Sequence, residues 1–393
     1  MDGRLLWLAT GAFSTSLMAF VFAGLLPLIS ASAGISIPEA GYLVTAYSLA
    51  YAIGTPILAT LSGAADRKRV VIGALILFLA GNITAAASNS FALLTAAQIV
   101  MGAAAGLYAS TAQATAVMLA GVEHRARAVA TVIGGTTLAV ALGAPIGSLI
   151  GNLAGWRATF LFVGLVALLC ATMLSLRLPR GLPGVKLTLA ERVLTITRPG
   201  VLPALIVTFL YLTGGFVVLC YLAPLATDGA GLSLTVIPAL LLAFGIGAVI
   251  GNYASGRLTD RLGATRVVIF SLIASVIVCI IITLMLRLLP SGIAGPLLIV
   301  IMVPWGIIGW TFPPAQASRI VALSPEVTYL TLPLNMSAMY FGVAAGSFAG
   351  GRALAAVPAT DLGIIAAAFP LVALVVLLAT ARSRKPAVAE AGE

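Results

Sequence analysis

Charge, histidine and buried acids are scarce in this chain. Only 8% of its 393 residues are charged, against roughly 25% in a soluble domain, which excludes a water-facing surface along most of its length. The single histidine, His124, lies beside Arg125 in a loop. An intramembrane enzyme needs converging acids, bases or metal ligands, and the sequence offers none, so neither catalysis nor a cofactor is expected. Cys170, Cys220 and Cys279 are odd in number and fall inside apolar runs, so they read as small core residues rather than a disulfide framework or a metal site. No Gly-x4-Gly-Lys-Ser/Thr phosphate loop is present, which argues against primary transport. None of the eleven acids falls deep inside an apolar run, so there is no obvious proton carrier.

What is abundant is hydrocarbon: 61% of the residues are hydrophobic, in continuous stretches without the alternation of a β-barrel. The fold class is therefore all-α and integral to the membrane, with the lipid bilayer as a partner. A helical crossing needs about 20 apolar residues, and twelve spans can be drawn at about 5–29, 41–62, 70–88, 92–119, 128–153, 158–178, 201–225, 233–255, 266–289, 293–317, 331–351 and 362–381. Arg4, the first run and Ala31-Ser32-Ala33 imitate a cleaved signal peptide, but the run is too long for one and starts a series of similar spans.

The net charge of +10 is scattered over short loops, so it reads as a topology signal and not as a nucleic-acid surface. One set of loops carries 18 of the 21 Lys and Arg residues, and the other carries only Arg157, Arg287 and Arg352. Positive charge stays in the cytoplasm, and twelve is even, so both termini are expected there, in a bacterial inner membrane. Residues 1–178 then form one six-helix bundle, 179–200 a cytoplasmic linker, 201–381 a second bundle and 382–393 a disordered cytoplasmic tail. In the linker, Thr188-Leu189-Ala190-Glu191 suggests the capping box of a short surface helix.

The chain reads as one unit written twice. Ser62-Gly63-Ala64-Ala65-Asp66-Arg67-Lys68-Arg69 and Gly256-Arg257-Leu258-Thr259-Asp260-Arg261-Leu262-Gly263 each join two apolar runs, and their Asp residues are 194 positions apart. Charges on such turns can favour the following helix N-termini by about 0.3–1 kcal/mol and still part under a small rigid-body movement. In span five Gly143, Gly147 and Gly151 stand four apart around Pro145, and in span eleven Gly342, Gly346 and Gly350 repeat the spacing. Such stripes permit close helix packing or a surface on which bundles slide, and the sequence leaves both open.

These motifs resemble the major facilitator superfamily, and within it the twelve-span drug:proton antiporter group that includes sugar and drug efflux proteins. Gly256, Leu258, Asp260, Arg261 and Gly263 match the family's Gly-x-Leu-x-Asp-Arg-x-Gly loop, and Asp66 and Arg67 match its first copy. Ala139 to Gly151 is similar to the span-five antiporter motif, Gly155-Trp156-Arg157-Ala158-Thr159-Phe160 to the start of span six, and Phe20–Pro27 and Trp305–Pro325 also look like efflux members. The resemblance implies two six-helix bundles related by a pseudo-twofold repeat around a central cavity. It assigns gating to Asp66, Arg67, Gly256, Asp260, Arg261 and Gly263, and helix packing or hinging to Gly143, Pro145, Gly147, Gly342 and Gly346. It places the cavity between spans one, four, seven and ten.

Two departures stand out. Exporters of this group commonly carry an acid in span one and an Arg in span four, where this chain has Met18 and Gln98. A lone buried charge costs at least about 2.5–3.5 kcal/mol, so the two losses fit together. An uncharged cavity favours neutral or amphipathic substrates. The substrate-binding candidates are Met18 and Phe22, Gln98 and Tyr108, Tyr211 and Phe216 beside a Gly214-Gly215 pair that could bend its helix, Trp305, and Asn335 in span eleven. The function expected is secondary export of a small neutral or amphipathic compound of drug or sugar class by alternating access, in a monomer. Proton antiport is what the resemblance implies, and the missing acid weighs against it. The alternative is a proton-independent facilitator or importer on the same fold.

Overall fold

The computed structural model describes residues 3–184 and 189–382, leaving aside the side chains of 121–126, 189, 192–193, 328–329 and 381–382. Every described element is helical, as lipid requires of a chain that must pair its own backbone polar groups. The helices are α1 (Gly3–Ala33), α2 (Ile37–Leu61), α3 (Arg67–Ala87), α4 (Phe91–Leu138), α5 (Ala144–Ala154), α6 (Trp156–Arg177), α7 (Leu189–Ile196), α8 (Val201–Leu219), the one-turn α9 (Leu222–Pro224), α10 (Ile237–Leu262), α11 (Ala264–Leu288), α12 (Ser291–Leu323), α13 (Thr328–Leu354) and α14 (Leu362–Arg382).

Among the described residues, eleven segments are long and apolar enough to cross a membrane. The remaining expected span, span eleven or α13, has 27 residues, which at about 1.5 Å per residue exceeds a hydrocarbon core of about 30 Å. The expected helix in the linker is α7; Thr188 of its capping box and the tail after Arg382 lie outside the described residues.

Local signals set the ends. Ser36 and Glu39 close a capping box at the start of α2, and Asp66 caps α3 by accepting from the Lys68 N–H at 2.8 Å. Gly155 and Gly263, at φ of 83° and 84°, make the one-residue breaks before α6 and α11, a conformation that other residues adopt at a steric cost. One expectation fails here. Spans four and five were expected to be separated by a loop, but helical backbone runs through the connection, and the break comes later, as a π-helical segment over Ala139–Gly143. Pro145 explains it: without an N–H it leaves the Ala141 carbonyl unpaired in an α-ladder, and the ladder widens so that the Ala144 N–H reaches the Ala139 oxygen.

The helices gather into an amino half, α1–α6, and a carboxyl half, α8–α14, with α2 against α13 and α10 against α5 at the seam. The glycine stripes lie inside the halves. Gly143, Gly147 and Gly151 face Leu17, Val21 and Leu25 of α1, and Gly342, Gly346 and Gly350 face Phe209, Thr213 and Val217 of α8. In this state both stripes are closely packed.

Candidate functional site

The two halves meet around a cavity of about 100 Å³ lined without a single charged group. Its wall is mostly aromatic. From α8 come Tyr211 and Phe216, from α10 Phe244, from α12 Trp305 and Trp310, from α13 Tyr340, and from the amino half only Ala19, Phe20 and Thr136. The rings hold one another in place: Trp305 meets Phe244 edge-on at 5.2 Å between centroids, and Tyr211 stacks on Phe312 at 3.8 Å. The Tyr211 hydroxyl donates to the Ile308 carbonyl of α12 at 3.0 Å, which ties α8 to α12. Phe20 crosses the seam, with its centroid 5.8 Å from that of Phe216 and 6.2 Å from that of Trp310.

Three of the eight substrate candidates, Tyr211, Phe216 and Trp305, line this cavity. The others do not. Met18 and Phe22 sit four residues apart on one face of α1, buried in the amino half, where Phe22 meets Phe160 edge-on at 6.3 Å. Phe20, on the opposite face of α1, is the residue that reaches the cavity. Tyr108 ties α4 to α1, donating to the Leu8 carbonyl at 2.8 Å over Gly11, whose missing β-carbon makes the room. Asn335 found a partner: its Oδ1 accepts from the Thr208 hydroxyl at 2.7 Å, and Gln316 Nε2 donates to Thr208 at 3.1 Å and to the Ala204 carbonyl at 2.7 Å.

Gln98 is fully buried and both ends of its amide lack a partner. An unpaired buried polar group costs about 1–3 kcal/mol. Ser48 Oγ, Asn82 Oδ1, Ser148 Oγ and Trp156 Nε1, all in the amino half, are likewise unpaired.

The two polar turns sit in different surroundings. Asp66 caps α3 as anticipated, and its second oxygen accepts from the Gly181 N–H at 2.7 Å, while Lys68 Nζ donates to the Leu178 carbonyl at 2.6 Å and the Arg67 N–H to the Leu182 carbonyl at 3.1 Å. This turn grips the segment after α6, on its own side of the seam. The Gly181 N–H, foremost, with the Lys68 N–H and the Arg69 charge, holds the Asp66 carboxyl below the usual carboxylate range. Asp260 does not precede the next helix; it sits within α10, two residues before its end, so it does not cap α11. Gly256, Asp260, Arg261 and Gly263 are all exposed. The Gly214-Gly215 pair is not a bend either, because α8 runs regularly to Leu219 and the break comes at Cys220–Tyr221.

The tightest polar junction across the seam falls outside the motifs of the sequence. It lies at the face away from the termini, where the Ser347 hydroxyl of α13 donates to the Gly41 carbonyl of α2 at 2.8 Å and the fully buried Tyr221 donates to the Ser347 carbonyl at 2.8 Å. Tyr221 occupies the space left by Gly41 and Gly351. Nearby, Tyr42 stacks on Phe348 at 5.9 Å, and at mid-depth Tyr51 stacks on Tyr340 at 3.5 Å. The signal was present as a tyrosine at the end of one span and unstriped glycines at the ends of two others.

Comparison with known proteins agrees with this architecture. The profile described as Major Facilitator Superfamily matches residues 8–356. The chain is 30% identical over 344 residues to the uncharacterized MFS-type transporter YbcL of Bacillus subtilis, covering 88% of this chain and 87% of that protein. It is 29% identical over 352 residues to the inner membrane transport protein YdhP of Escherichia coli K12, covering 90% and 89%. Among solved structures, the human organic anion transporter MFSD10 aligns with a TM-score of 0.72 at 18% identity, covering 95% of this chain and 99% of that one. An inward-facing bacterial homologue of the lysosomal transporter Spinster aligns at 0.68 and 16%, covering 96% of each chain.

Proposed function

The chain belongs to the major facilitator superfamily of membrane transporters, and on that premise we propose that it exports a small, uncharged, largely apolar compound by alternating access around the aromatic cavity. The carrying observation is the cavity lining, which has seven aromatic rings and no charge. A charged ligand there would lose its hydration with no counter-ion. At about 100 Å³ the cavity is smaller than the roughly 300–1,000 Å³ of sites that enclose drug-sized ligands, so a larger substrate requires the halves to part. Tyr211, Phe216 and Trp305 serve as contacts, with Phe20 closing the site from the amino half. Gln98 gains its partner, water or substrate, in the complementary state, which accounts for an amide left unpaired in this one.

In this reading residues 179–200 link two bundles that rock against each other, the termini lie in the cytoplasm, and the face sealed by Gly41, Tyr221 and Ser347 is the outer one. The resemblance to drug and sugar efflux members supports outward movement, by proton antiport. A second reading, a proton-independent facilitator, has its own support: no carboxylate is buried among the described residues. A thermal-shift screen of drugs, sugars and nucleosides identifies a ligand, and flux of that ligand into vesicles with and without an imposed pH gradient separates the readings. Antiport requires flux to follow the gradient, and equal flux in both conditions rejects it.

A further inference from the structure

Resting on the cavity reading, we propose that Gly215 and Gly309 form a slot that admits a flat, uncharged aromatic ring system and sets the largest one the protein accepts. Both residues lie in helices and line the cavity, one on α8 and the other on α12. A glycine inside a helix is disfavoured relative to alanine, and each neighbouring glycine has a packing reason to be there. A β-carbon on Gly214 would stand 2.7 Å from the Ala366 carbonyl oxygen and 2.8 Å from Pro370 Cδ, and one on Gly306 would strike the Phe244 carbonyl.

Gly215 and Gly309 have no such reason. A β-carbon on Gly215 would meet nothing within 4 Å, and one on Gly309 would meet only the Phe244 ring at 3.8 and 3.9 Å, an ordinary contact. Neither has the positive φ that would call for glycine, and α8 does not bend at Gly215. What the two glycines leave is open space in the wall of a cavity that Phe216, Phe244, Trp305 and Trp310 also line. Ring faces favour offset-stacked or edge-on aromatic partners, and the absence of charge selects against ionised ligands. The occupant is a neutral fused-ring compound that lies flat along the two missing side chains.

The test uses the purified full chain and three neutral probes of one, two and three fused rings: phenol, naphthol and anthracenol. Binding is measured by calorimetry and the unfolding midpoint without ligand. Wild type is expected to bind naphthol better than phenol. Gly215→Ala and Gly309→Ala are each expected to weaken naphthol about tenfold and phenol by less than about twofold, the range in which a pocket senses one added carbon. Their midpoints are expected to hold or rise, while Gly214→Ala lowers its own. A purely structural or hinge role for Gly215 would weaken all three probes alike; that result, or no effect of either alanine on naphthol, or no binding of any probe to wild type, overturns the slot. The cavity reading is judged separately, by whether Trp305→Ala alters binding of the compound found by screening. If it does while the ring series fails, only the slot falls.

Discussion

The amino and carboxyl halves repeat one plan and spend it differently. In the carboxyl half most buried polar groups are joined: Thr208, Gln316 and Asn335 bind one another across three helices, Ser255 donates to the Thr311 carbonyl at 2.7 Å, and among the described residues Thr259 Oγ1 is the one buried polar side-chain atom there without a partner. In the amino half Ser48, Asn82, Gln98, Ser148 and Trp156 leave polar atoms unpaired. The cavity follows the first pattern, with walls almost entirely from the carboxyl half. The polar turns divide the opposite way, since the Asp66 turn is gripped by the segment after α6 and the Asp260 turn is exposed. The comparison teaches that a repeated sequence sets a common frame, while each copy's own polar partners decide how fully its buried groups are paired.

The strongest way to break this comparison is at the seam. A methyl on Gly41 would collide with the Tyr221 hydroxyl, so Gly41→Ala is expected to open that face. With Cys170 and Cys279 replaced by serine, buried Cys220, whose sulfur lies 3.3 Å from the Ser347 hydroxyl, should react with maleimide at least about tenfold faster, a shift of about 1.4 kcal/mol. An unchanged rate would show that the Tyr221 junction does not hold the halves together.

The next contrast compares buried amides. Gln316→Leu strips Thr208 and Ala204 of a donor and should cost about 1–3 kcal/mol of stability, whereas Gln98→Leu replaces an amide that has no partner and should be neutral or stabilising. Thermal unfolding of both variants checks this. Equal losses would mean that the amino half is as well paired as the carboxyl half. A stable Gln98→Leu protein that no longer transports would place the missing partner of Gln98 in the complementary state.

The smallest expected effects are at the turns. Asp66→Ala removes a helix cap and should cost about 1 kcal/mol, while Asp260→Ala at an exposed position should change stability by less than about 0.5 kcal/mol. Because the folded-state pKa of Asp66 is depressed, its contribution is present above the ordinary carboxylate value of about 3.9 and lost as the pH falls through the folded value. The advantage of wild type over Asp66→Asn in unfolding midpoint should therefore shrink as the pH drops below about 4.

Much of the frame was legible because lipid allows so few solutions. Apolar runs of spanning length, the linker helix, the Asp66 cap and the two glycine stripes all came from local signals. What was not legible depended on rotation and on tertiary partners. Met18 and Phe22 lie in a span that the resemblance places at the cavity, but one helical half-turn puts Phe20 there instead. Asn335 was polar in an apolar span, and only the fold reveals Thr208 beside it. Asp260 reads from its motif as a turn residue, while the helix runs on to Leu262 and turns at Gly263. The Gly41–Tyr221–Ser347 junction joins residues so far apart in the chain that the tyrosine and glycines marking it carry no local sign of their pairing.

The account stands on the carboxyl half holding the ligand. The most direct measurement is equilibrium binding of a compound identified by thermal-shift screening to wild type, Trp305→Ala and Met18→Leu. The prediction is a loss of about tenfold or more for Trp305→Ala, the scale of a buried aromatic contact, with Met18→Leu within about twofold of wild type. Undiminished binding by Trp305→Ala, or a larger loss in Met18→Leu, would contradict it.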